Sequence, residues 1–79
     1  MHIFVGNLSH EMDELRIEKV FKPYGLLKSV KLANDLGTGR FRGYAFVEMY
    51  SESEGLDAIK NLNNKDFLGK RMVVNKREQ

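Results

Sequence analysis

The stretch Gly43-Tyr44-Ala45-Phe46-Val47-Glu48-Met49 constrains this chain more than any other. Its two-residue alternation predicts an extended strand, and a strand sends successive side chains to opposite faces. Ala45, Val47 and Met49 share one face; Tyr44, Phe46 and Glu48 share the other. The first set is aliphatic and suits a packed layer. The second holds a carboxylate, which a thin core does not accept unpaired. Tyr44 and Phe46 must therefore point outward with Glu48.

The elements around this strand can be read in turn. His2 to Asn7 alternates, with Ile3 and Val5 on one face and His2, Phe4 and Gly6 on the other. Asp13 is an N-cap, with Glu14 in the first helical turn. Ile17, Val20 and Phe21 follow at helical spacing, and Pro23 and Gly25 end the helix. Leu27 to Leu32 predicts a strand with Val30 and Leu32 inward and Ser29 and Lys31 outward. Residues 34–42 hold two glycines, an Asn and an Asp, which predicts a loop. Ser51 and Glu54 have the spacing of a capping box ahead of Ala58, Ile59 and Leu62. Gly55 lies on that helix's apolar stripe, where it gives room for the helix to approach the sheet. Asn63 and Asn64 suit a left-handed turn, and Gly69 marks another. Met72 and Val74 then alternate with Val73 and Asn75 in a last strand. The charged end, residues 77–79, is expected to fray.

The order is β-α-β-β-α-β, in a chain of 79 residues that makes one domain. The predicted fold class is α+β. It is a two-layer α/β sandwich of ferredoxin-like type, with two helices on one face of a four-stranded antiparallel sheet. No element remains to cover the other face. On that face Phe4, Tyr44 and Phe46 come together as an apolar patch where solvent is expected, and such patches mark binding sites. Flat rings on a rigid sheet suit unstacked bases, each stack contributing about 1–3 kcal/mol. Gly6 and Gly43 add no side chain that would obstruct a base.

Composition narrows the chemistry. There is no cysteine, which removes disulfides and thiolate catalysis. Two histidines, His2 and His10, make no metal site, and no cofactor is expected. No apolar run reaches the roughly 18 residues of a membrane span, and Met1 to Asn7 lacks the blocks of a signal peptide. The expected location is cytoplasmic, or nuclear for a fragment of a eukaryotic protein. The net charge is only +2, but it is unevenly spread. The two helical segments are net acidic, and the strands and loops are basic. Such a field suits a polyanion. Arg40, Arg42, Lys31, Arg71, Lys76 and Arg77 would frame the rings for phosphate contact.

These residues also resemble a known family, the RNA-recognition motif. Arg42 to Met49 matches the family's octapeptide, K/R-G-F/Y-G/A-F-V-x-F/Y, at seven of eight positions. Met49 replaces an aromatic at a core-facing position, where methionine is an adaptable filler. Ile3-Phe4-Val5-Gly6-Asn7-Leu8 is similar to the family's hexapeptide, and Asp35 to Arg40 to its usual loop. Phe21-Lys22-Pro23-Tyr24-Gly25 fits its first-helix ending. The resemblance covers essentially the whole chain, and small bacterial and cyanobacterial members are similar in form. It implies that Phe4 and Tyr44 stack on successive bases, Phe46 packs against sugars, and Arg42 meets a phosphate. It also implies base-edge contacts from Asn75, Lys76 and Arg77. His2, on the face of Phe4, is a further candidate contact. Phe41 departs from the small polar residue usual in the family; it is either an extra stacking ring or a cover over the loop.

The expected partner is single-stranded RNA, with single-stranded DNA as a second candidate, bound by a monomer without a membrane or a small-molecule substrate. The rival reading is a protein-binding domain that captures a peptide on its helical side, through Lys65-Asp66-Phe67. Domains of that kind tend to lose the outward rings, whereas this chain keeps all three. An enzyme is not expected: Gly37-Thr38-Gly39 lacks the lysine and the strand-to-helix setting of a phosphate loop.

Overall fold

The computed structural model describes residues 1–77. The elements are β1 (His2–Gly6), α1 (Glu14–Phe21), a 3-10 turn (Lys22–Tyr24), β2 (Leu27–Asn34), β3 (Phe41–Met49) and α2 (Glu52–Leu62). A hairpin of two-residue strands follows, β4 (Asp66–Phe67) and β5 (Lys70–Arg71), and then β6 (Val73–Lys76). The main sheet runs β2-β3-β1-β6, antiparallel throughout, with β1 and β3 at its centre.

The core follows strand parity. Ile3 and Val5 of β1, Ala45, Val47 and Met49 of β3, and Val74 of β6 are all buried. Ile17 and Phe21 of α1 and Ala58 and Leu62 of α2 meet them, which fixes both helices on that side. Leu8, Met12 and Met72 belong to the same cluster. Among the described residues no helix is long and apolar enough to cross a membrane.

The helix starts are built by side chains. Asp13 Oδ1 accepts from the Arg16 backbone N–H at 2.8 Å, and Ser51 Oγ accepts from that of Glu54 at 3.2 Å. The capping box at Ser51 is half formed. The Glu54 carboxylate lies over Gly25, where a β-carbon would collide with it. Gly55 does admit a close approach, and what approaches is the Met1 side chain.

Four other expectations shift. The loop before β3 is shorter than residues 34–42, because Asn34 pairs with Phe41 and both belong to strands. Asp35 sets the loop's shape: its Oδ1 accepts from the Gly37 and Thr38 backbone N–H groups at 2.8 and 2.9 Å. Those two bonds, Thr38's first, hold its carboxyl below the usual aspartate range. Of the two asparagines after α2, only Asn64 is left-handed, at φ 70°. Asn63 is extended, and its Oδ1 accepts from the Val74 backbone N–H at 3.0 Å. Gly69 does more than turn the chain. With Leu68 at φ 52° and Gly69 at φ 82°, it closes the β4–β5 hairpin, since two-residue hairpin turns favour positive φ at both centres. Lastly, Arg77 is not frayed: its backbone N–H donates to the His2 carbonyl at 2.7 Å. Residues 78 and 79 of the expected tail lie outside the described residues.

Candidate nucleic-acid interface

On the bare side of the sheet, Phe4, Tyr44 and Phe46 form a triangle. Ring centroids lie 5.7 Å apart for Phe4 and Tyr44, 6.1 Å for Phe4 and Phe46, and 5.8 Å for Tyr44 and Phe46. These are contact distances for tilted rings, so the three rings support one another while each stays half-buried. The platform follows from register. Phe4 faces Phe46 across β1 and β3, Lys31 of β2 faces Phe46 on its other side, and Asn75 of β6 faces Phe4. Residues directly opposite in a sheet share a face. One row therefore runs Lys31, Phe46, Phe4, Asn75 straight across the sheet.

The two glycines also serve backbone and ring geometry. The Phe4 ring lies over Gly6, and a β-carbon there would sit 2.7 Å from the ring edge. Gly43 has φ +89°, a conformation most side chains resist, and a β-carbon there would meet only the Leu8 carbonyl oxygen, at 3.6 Å. Its bend accompanies a bond from the Leu8 backbone N–H to the Gly43 carbonyl at 2.8 Å.

The sequence-predicted basic residues separate into groups. The Arg42 guanidinium carbon stands 5.6 Å from the Tyr44 ring centre, and that of Arg77 stands 4.2 Å from Phe46. Both are cation–π distances. Lys31 and Asn75 belong to the central row and are exposed. Arg40 is exposed at the end of the Asp35 loop, where its carbonyl accepts from the Asp35 backbone N–H at 2.7 Å. Lys76 does not join them. It faces Ile3 across β6 and β1, on the helical side, and its Nζ is 3.9 Å from Glu52 of α2. Arg71 sits in the hairpin, 3.8 Å from Asp66. Phe41 packs partly against the core, its ring edge-on to His10 with centroids 6.4 Å apart. Its contacts are thus with the core and His10, and among the described residues no contact with the three platform rings accompanies them.

His2 shares the platform face and faces Glu48 across β1 and β3, its Nε2 3.7 Å from the carboxylate. Two features were missed at the sequence level. The first is Arg77 lying over Phe46, which no local pattern encodes. The second is a shallow hollow beside Phe46, lined by His2, Ser29, Lys31, Glu48 and Arg77. Strand parity had already turned Ser29, Lys31 and Glu48 toward it.

A helix-backed antiparallel sheet with a triangle of rings on its uncovered side defines a sheet-surface binding domain. The chain belongs to the RNA recognition motif family, whose model matches residues 3–73. It is 47% identical over 76 residues to "Putative RNA-binding protein RbpF" of Nostoc sp., covering 96% of this chain and 72% of that protein. Among solved structures it is similar to the crystal structure of RNA-binding protein PG1. There the TM-score is 0.96 at 34% identity, over 100% of this chain and 95% of that one. It is also similar to a solved Sxl-lethal protein/RNA complex, with a TM-score of 0.89 at 29% identity, over 96% of this chain and 47% of that one.

Proposed function

We propose that this chain binds single-stranded RNA on the β2-β3-β1-β6 face, by stacking bases on Phe4, Tyr44 and Phe46. The ring triangle carries the reading. A duplex hides its base faces against one another, so exposed rings are of use only to unstacked bases. Arg42, Arg40 and Lys31 supply charge for phosphates, Asn75 and the backbone of residues 75–77 address base edges, and His2 flanks them. The similarity to RNA-binding proteins supports the same reading.

Stacking does not depend on the sugar, so single-stranded DNA competes, and the 2′-hydroxyl separates the two. The platform is complete within one chain, so a monomer suffices. Its action is binding without turnover. A cytoplasmic location accords with the cyanobacterial relative. The helical-side reading at Phe67 is not favoured, because all three platform rings are kept.

Fluorescence anisotropy with a short labelled single-stranded RNA tests the proposal. Phe4→Ala, Tyr44→Ala and Phe46→Ala should each weaken binding by about 5- to 150-fold, the equivalent of one lost stack. Circular dichroism should show each variant folded. Unchanged affinity in all three would end the reading.

A further inference from the structure

Glu48 is out of place on a surface meant for a polyanion. Its side chain is 26% exposed, with Oε2 3.6 Å from Lys28 Nζ and 3.7 Å from His2 Nε2. Both distances exceed a hydrogen bond. Among the described residues no donor reaches either oxygen, and exposed ion pairs of this kind contribute little. An ionised carboxylate only accepts hydrogen bonds. A phosphate offers it none and repels it. What an RNA strand does offer are base-edge N–H groups and 2′-hydroxyls.

The hollow beside Phe46 gives those acceptors a setting. Ser29 faces Glu48 across β2 and β3, and Lys31 faces Phe46. Lys31 and Glu48 both line the hollow, from pairing positions two residues apart along the sheet, a donor and an acceptor, with Arg77 lining it as well. Guanine alone among the four bases carries two adjacent N–H donors, at N1 and N2, beside a carbonyl acceptor at O6. Adenine and cytosine set a single amino group beside a ring acceptor. Uracil sets one N–H between two carbonyls.

We infer that the hollow between Phe46 and Glu48 is a guanine-selective base subsite. Glu48 accepts from guanine N1–H and N2–H, and Lys31 donates to O6. The inference rests on the sheet-face reading of function and adds a base preference to it. Lys28 and His2, at ion-pair distances beyond a hydrogen bond, hold the carboxylate loosely enough to yield it to a two-bond partner.

The test is a titration of the full chain with short oligouridines that carry guanine, adenine, cytosine or inosine at one internal position. Guanine should bind about tenfold tighter than adenine or cytosine, the worth of a bidentate base contact. Inosine lacks the 2-amino group and should lose most of that gain. Glu48→Gln should bring the four oligomers to similar affinity while oligouridine binding persists. The inosine comparison uses the unaltered chain, so it stands even if Glu48→Gln misfolds. Equal affinities for all four on the unaltered chain, or a guanine preference surviving in folded Glu48→Gln, would overturn the subsite alone. So would a Glu48→Gln loss that is uniform across sequences, which would assign Glu48 to the sugar. Failure of the unaltered chain to bind any oligomer would overturn the sheet-face reading and the subsite together.

Discussion

The two faces of β3 carry the same alternation to opposite ends. On the inner face Ala45, Val47 and Met49 are at most 1% exposed, sealed under α1 and α2. On the outer face Tyr44 and Phe46 are larger and more apolar in area, yet they stay half-buried. Burying apolar surface stabilises by roughly 25 cal/mol per Å² whichever molecule supplies the cover. The inner residues have gained that stabilisation already, in folding. The outer rings have gained only part of it, from one another. The rest remains available to a ligand. Apolar residues one position apart thus divide between stability and binding.

The largest effect expected from this division is on stability. Phe21 is fully buried between α1 and the inner face, and Phe21→Ala should cost about 3–5 kcal/mol, much of what a domain this small has. Phe46→Ala removes the same ring chemistry from the outer face and should shift the denaturation midpoint far less. Urea unfolding of the two variants side by side checks the contrast. Equal losses would show that the platform rings are part of the core, and the division would fail.

The next effect concerns charge on the outer face. Arg42 lies over Tyr44 and is otherwise exposed, so its cost on removal should fall on RNA rather than on folding. Arg42→Ala should lower affinity for every sequence and reduce the slope of log affinity against log salt by about 0.7, one single-strand phosphate. Binding measured over a salt series reads this directly. An unaltered slope would remove Arg42 from the phosphate contacts and leave it as a support for Tyr44.

Strand parity made most of this legible. It separated inner from outer residues on β1 and β3, because one buried face fixes the register of a strand. The helix starts at Asp13 and Ser51 were legible for a similar reason: a cap is a local bond, made within three residues. What was not legible depends on contacts between distant segments. Asn63 gives its side chain to Val74, eleven positions on, and so leaves the turn geometry to Asn64. Glu54 leaves its box to lie over Gly25. Lys76 reads as one more base at a basic end until the β6–β1 pairing turns it toward α2. Arg77 was expected both to frame the rings and to begin a frayed tail; its anchor to His2 and its place over Phe46 come from pairing that no local pattern announces.

The smallest effect tests whether the β2–β3 loop belongs with the outer face or is independent of both faces. Asp35 lies at the surface, and its carboxylate holds the loop by accepting from Thr38 and Gly37, with a minor pull from Arg42. Those bonds favour the charged form and set its pKa below the ordinary aspartate value in the folded chain. A group lowered on folding contributes stability that is fully present above its unfolded pKa. That contribution is lost as pH falls through the lower, folded one. The loop should therefore keep its shape at neutral pH and loosen only in acid below the usual carboxylate range, while Phe21 and its neighbours stay packed. Amide NMR shifts of Gly37 and Thr38 should report a titration midpoint below the ordinary aspartate value, and Asp35→Asn should abolish it. A midpoint at or above the ordinary value would mean that the carboxylate does not organise the loop. Coincident movement of core amides would mean that the loop and the inner face unfold as one unit.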